Sequence, residues 1–140
     1  MTRDDRGSTL PLILGFFLVA LLVTAGSVAA SDAFVQQRNL QGVCDGAVTD
    51  AAATAIDLER GHPVEAGSAL RFGDVQQAVA AYLARDPSRA NVHVRIALSA
   101  DARTLTLTCR QTSKIAFGAM FGKGDGVTHT ATSSARAPVT

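Results

Sequence analysis

Charge is scarce in this sequence: Asp, Glu, Lys and Arg together make up 18% of 140 residues and nearly cancel, to a formal +1. Globular domains average about a quarter charged. The basic residues are mostly Arg and scattered, so there is no clustered cationic surface of the kind nucleic acid demands. Histidine is sparse too. His62, His93 and His129 each stand alone, His93 on the outward phase of a predicted strand, and isolated histidines of this kind read as surface residues. The two cysteines have no second ligand nearby at zinc spacing. No G-x-S-x-G context marks a nucleophile. Catalysis, metal binding and a cofactor are therefore not expected. A chain of 140 residues allows one domain.

One absence of charge is local. From Leu10 to Ser31, LPLILGFFLVALLVTAGSVAAS carries no ionisable side chain. A bilayer core of about 30 Å needs about 20 apolar residues rising 1.5 Å each as a helix. Only a helix satisfies the backbone of a single segment in hydrocarbon. Pro11 falls in the first turn, where its missing N–H costs nothing. Arg3 and Arg6 precede the run and the next basic residue is Arg38, so the flanking-charge rule keeps the N-terminus cytoplasmic and exports the remainder. The expected divisions are a tail over 1–9, a transmembrane helix over 10–31 and an extracytoplasmic domain over 32–140. The alternative is a secreted adhesion or binding module, released by signal peptidase after Ala30. The apolar run is longer than the usual signal core, which favours the anchor.

The helical pattern continues past the apolar run. Phe34, Leu40, Val43, Cys44, Ala47, Ala51, Ala55 and Leu58 recur at spacings of mostly three and four, one stripe of a helix that Gly61, His62 and Pro63 stop. Asp74 with Gln77 resembles a capping box before Val75, Ala78, Val79, Tyr82 and Leu83, a second helix closed by Asp86-Pro87. NVHVRIAL and TLTLTCR alternate strictly and are joined by Ser99–Arg103, which predicts an antiparallel hairpin. A third strand is expected within Gly126–Ala135. The predicted fold class is α+β: the long N-terminal helix and a second helix packed on a small three-stranded antiparallel sheet.

Cys44 lies on the apolar stripe and Cys109 points to the apolar side of its strand, so both face one core. In an oxidising, exported setting an even cysteine count favours pairing, and a Cys44–Cys109 disulfide is expected. In GAMFGKGDG, Gly118, Gly122 and Lys123 come one residue short of a phosphate loop and lack its Ser/Thr, so the segment reads as a turn. Ile115, Phe117, Met120 and Phe121, between Lys114 and Lys123, either close one end of the core or form an exposed patch for a partner or the membrane surface. Small residues at Gly15, Ala20, Ala25, Gly26, Ala29 and Ala30 would let neighbouring helices approach.

Three features together resemble the TadE/TadG-like pilus-assembly proteins of the tight-adherence, Flp-type system. They are Arg6-Gly7-Ser8-Thr9 before the apolar helix, DAFVQQRNLQGVCDGAVTDAAATA after it, and IAFGAMFG leading to a Thr/Ala-rich final strand. The resemblance implies a non-enzymatic bacterial envelope protein: a minor pilin, a pseudopilin or an accessory, with other pilin-like membrane subunits as partners. It also implies possible prepilin processing between Gly7 and Ser8. Processed members carry a Glu at the fifth residue after the cut, and here that position is Leu12, preceded by Pro11. An unprocessed, membrane-anchored accessory fits that departure at least as well.

Overall fold

The computed structural model describes residues 9–60 and 70–136, with the side chains of 55–60 left aside. Helix α1 runs over Thr9–Arg60 without a break, 52 residues or about 78 Å at 1.5 Å each. Helix α2 covers Phe72–Ala84, and the strands are β1 (His93–Leu98), β2 (Thr104–Ser113) and β3 (Val127–Arg136). The sheet is antiparallel in the order β1-β2-β3, with Cys109 opposite Val94 on one side and Ala131 on the other. The α+β arrangement anticipated from patterning is the one observed.

The core sits where the second half of α1 crosses the sheet. Leu40, Cys44, Ala47 and Ala51 face Leu105, Leu107, Cys109 and Ala131, and Val75, Ala78 and Val79 of α2 close the other side. Full burial of a Leu or Val is worth about 1.5–3 kcal/mol. Here small residues on α1 trade that yield for close approach of the elements. Val94, Ile96 and Leu98 are only half-buried, because β1 is the sheet edge farther from α1.

Local details depart from the sequence reading. Phe34 is not on the buried stripe: it lies six residues before Leu40, about 120° round the helix at 100° per residue. Its exposed ring carries the Arg38 guanidinium at 5.5 Å. Asp74 is not the N-cap of α2; the helix starts at Phe72 behind Arg71, which places Asp74 within the first turn. There its carboxylate complements the helix dipole instead of accepting a capping bond. After α2 the chain makes a 3-10 turn over Pro87–Arg89, whose cap is Asp86 accepting from the Ser88 N–H at 2.9 Å. That bond holds the Asp86 carboxyl below its ordinary range, as the Ser99 hydroxyl does for Asp101 in the hairpin loop. Ala55 and Leu58 of the stripe, and His62, fall outside what is described.

Candidate functional site

Among the described residues, none packs against the first four turns of α1. Leu10 to Val23 stand free on every face, Phe16 being 78% exposed. In water such a surface would be strongly unfavourable, since every apolar side chain of four turns meets solvent. This is a helix long and apolar enough to cross a membrane. A shallow apolar notch sits beside Gly15, lined by Leu12, Ile13, Phe16 and Val19, with nothing within 4 Å of where a Gly15 Cβ would stand.

Toward its middle α1 acquires a neighbour. Ala25 and Ala29 are buried, and a Cβ on Gly26 would lie 3.8 Å from the Phe121 ring. The cover is the β2–β3 connection, residues 114–126. One turn farther, the Asp32 carboxylate accepts from the Ala116 N–H at 2.8 Å and ties this loop to the helix. Gly26 therefore receives the chain's own loop, with Ala25 and Ala29 buried on either side of it, whereas the sequence reading offered all three to a neighbouring helix. Gly15 and Ala20 keep that role open, as both lie on the bare half.

The loop itself is a tight 3-10 turn at Gly118–Phe121. Gly118 is required by close approach, since a Cβ there would meet the Lys123 carbonyl oxygen at 2.9 Å. Gly126 has φ +99° and its Cβ position falls 2.8 Å from the Ser113 oxygen. Phe117 takes a left-handed φ of 57°, uncommon for a bulky residue. Of the four apolar residues singled out from the sequence, Ile115 is half-buried, while Phe117, Met120 and Phe121 are 50%, 59% and 45% exposed. None belongs to the core cluster, so the core-closing alternative does not hold. Phe117, Met120 and Phe121 are the exposed members, and Phe121 reaches α1 at Gly26.

Past Asp32, polar side chains of α1 hold the outer edge of β3. The Gln37 amide donates to the Thr130 carbonyl at 2.9 Å. The Gln41 amide donates to Asp45 at 2.9 Å and to the Ser133 hydroxyl at 3.1 Å, and Ser133 in turn donates to Asp45. An edge strand presents unpaired backbone groups that invite aggregation, and covering them is a common remedy. In the sequence these residues simply fall between members of the apolar stripe; only the sheet's position shows their use. His129 also departs from its surface reading. It is 6% exposed, because it shares the inward phase of β3 with Val127, Ala131 and Ser133. That phase was legible in the spacing of Val127, Ala131 and Ala135. His93 is exposed, as its alternation predicts.

Cys44 and Cys109 form the disulfide anticipated from the sequence, with both residues fully buried and their Cα atoms 5.9 Å apart. It joins α1 to the central strand. Gly7 and Ser8, the candidate processing site, lie outside the described residues.

Comparison with known proteins places a family on the long helix. No curated protein and no solved structure matches the chain. Residues 7–54 match the family described as "Putative Flp pilus-assembly TadE/G-like", a segment that takes in the bare half of α1, the loop-bearing turn and the stripe that carries Cys44.

Proposed function

We propose that this chain is a membrane-anchored component of a bacterial Flp-type (Tad) pilus or related secretion assembly, acting as a minor pilin, a pseudopilin or an accessory. The observation that carries the reading is the coincidence of the family match over 7–54 with a helix whose first half is bare and apolar and whose second half is the spine of an α+β unit. A single helix serving both purposes transmits position rigidly from membrane to domain, which suits lateral assembly rather than chemistry. The N-terminus stays cytoplasmic and the α+β unit faces outward, where an oxidising environment supports the disulfide. Within the membrane, the notch at Gly15 offers a neighbouring subunit's helix a close approach.

Deleting the gene in a cell that builds Flp-type pili, with complementation by the intact chain, tests this. Surface pili are expected to fall on deletion and return on complementation; unchanged piliation defeats the proposal. Mass spectrometry of the mature N-terminus sorts the forms. An unprocessed terminus supports the accessory, a terminus at Ser8 the processed pilin, and one at Ser31 the secreted module.

A further inference from the structure

We infer that the loop 114–126 is a second membrane contact: the side chains of Phe117, Met120 and Phe121 enter the apolar layer of the outer leaflet beside α1. The inference rests on the membrane-anchor reading and goes beyond it, because a single-pass anchor by itself places no part of the α+β unit in lipid.

Depth along α1 carries the argument. Gly26, which touches Phe121, lies 17 residues beyond Thr9, or about 26 Å at 1.5 Å per residue. That is still inside a hydrocarbon layer of about 30 Å. Asp32, which holds the Ala116 N–H, lies about 35 Å along, at the depth of the polar headgroups. The loop thus descends from headgroup level at Ala116 to hydrocarbon level at Phe121.

Further observations accord with a place in lipid. The three large apolar side chains sit together on the tip, half exposed, in a unit whose other large side chains mostly enter the core. Phe117 keeps a left-handed backbone that leaves its ring outside that core. Exposed Lys114 and Lys123 flank the tip, and their stems can carry the ammonium groups up to the headgroups. Asp125 is the one acidic residue of the loop; it is exposed on the far side of Lys123 from the tip, next to the start of β3. The direction of the sheet agrees. Gln37 meets Thr130 and Gln41 meets Ser133, so β3 runs along α1 with its start, and the loop before it, at the membrane end. The consequence is mechanical: the unit is fixed to the bilayer at two points, and its tilt and rotation about α1 are set.

The chain contains no tryptophan, so a single introduced indole reports one position. Phe121→Trp, Met120→Trp and, as the reference, Phe16→Trp are each made in the full-length chain. Each is reconstituted in phosphatidylcholine–phosphatidylglycerol vesicles with or without bromine on the acyl chains, and disulfide formation is checked as the sign of folding. All three are expected to emit at short wavelength, to lose the larger part of their emission to brominated lipid and to resist aqueous iodide. If Phe16→Trp is quenched by bromine but the loop positions are quenched by iodide, the loop lies in water and the inference fails while the anchor stands. Loop positions shielded from both quenchers are covered by protein, a second copy included, and this too overturns it. A Phe16→Trp indifferent to brominated lipid removes the anchor and the inference together.

Discussion

Gly42 and Gly46 stand one turn apart on α1, and their surroundings differ in one respect. Among the described residues a Cβ on Gly42 would meet nothing within 4 Å, whereas one on Gly46 would collide with the Tyr82 hydroxyl of α2. Glycine inside a helix costs up to about 1 kcal/mol relative to alanine. Gly42→Ala is therefore expected to raise stability by up to about 1 kcal/mol, read as a higher unfolding midpoint. Gly46→Ala collects the same helix gain but displaces the Tyr82 ring, on which the Arg89 guanidinium stacks at 4.3 Å. Overpacking of this kind costs typically 1–3 kcal/mol, so the net change is destabilising. Urea denaturation of both variants in detergent checks the opposite signs. Nothing in the sequence separates these two glycines, because both interrupt the same periodic pattern. Their difference comes from a tyrosine 36 residues away on another helix. His129 makes the converse point: its inward phase could be read from Val127 and Ala131, but the Thr-rich strand hides the signal among polar residues.

The helix and the sheet are joined by unlike attachments. The Cys44–Cys109 disulfide closes a loop of sequence separation 65 in the middle of the core. In the chain-entropy account a loop of that size contributes about 4 kcal/mol by restricting the unfolded chain. Replacing both cysteines by alanine is expected to lower stability by roughly that amount, measured as a shift of the denaturation midpoint, and reduction of the wild type should reproduce it. A midpoint unchanged by either treatment would show that packing alone holds α1 on the sheet. The pairing was legible because each cysteine occupies the apolar phase of its own element. The second attachment was not. Gln37, Gln41 and Asp45 carry no mark that separates them from a solvated helix face, and their role as cover for β3 exists only once the strand lies beside them. Element boundaries blurred for a similar reason. Asp74 and Gln77 match a capping pattern, yet α2 begins at Phe72, three residues before the start that pattern implies at Val75, so the carboxylate serves the helix dipole.

At the scale of the molecule, the fold divides by solvent. Among the described residues the core cluster begins at Leu40, and the stretch before Ser31 serves only to seat the loop at Gly26. A fragment of residues 31–140, made in an oxidising compartment, is expected to form its disulfide and unfold cooperatively. Circular dichroism and a thiol count check this, and a fragment without a cooperative transition would show that the apolar half is needed for folding. Two periods and one long uncharged run were enough for the sequence by itself to determine the elements, their order, the core face, the disulfide and the presence of a segment suited to lipid. Such features depend on local patterning and on the transfer of apolar groups from water, both written along the chain. Tertiary structure decided the rest: that Gly26 receives the chain's own loop at Phe121, that glutamines cover the edge of β3, and that Phe117, Met120 and Phe121 stay outside the core. Those outcomes depend on which distant surfaces meet, and no local pattern carries that information.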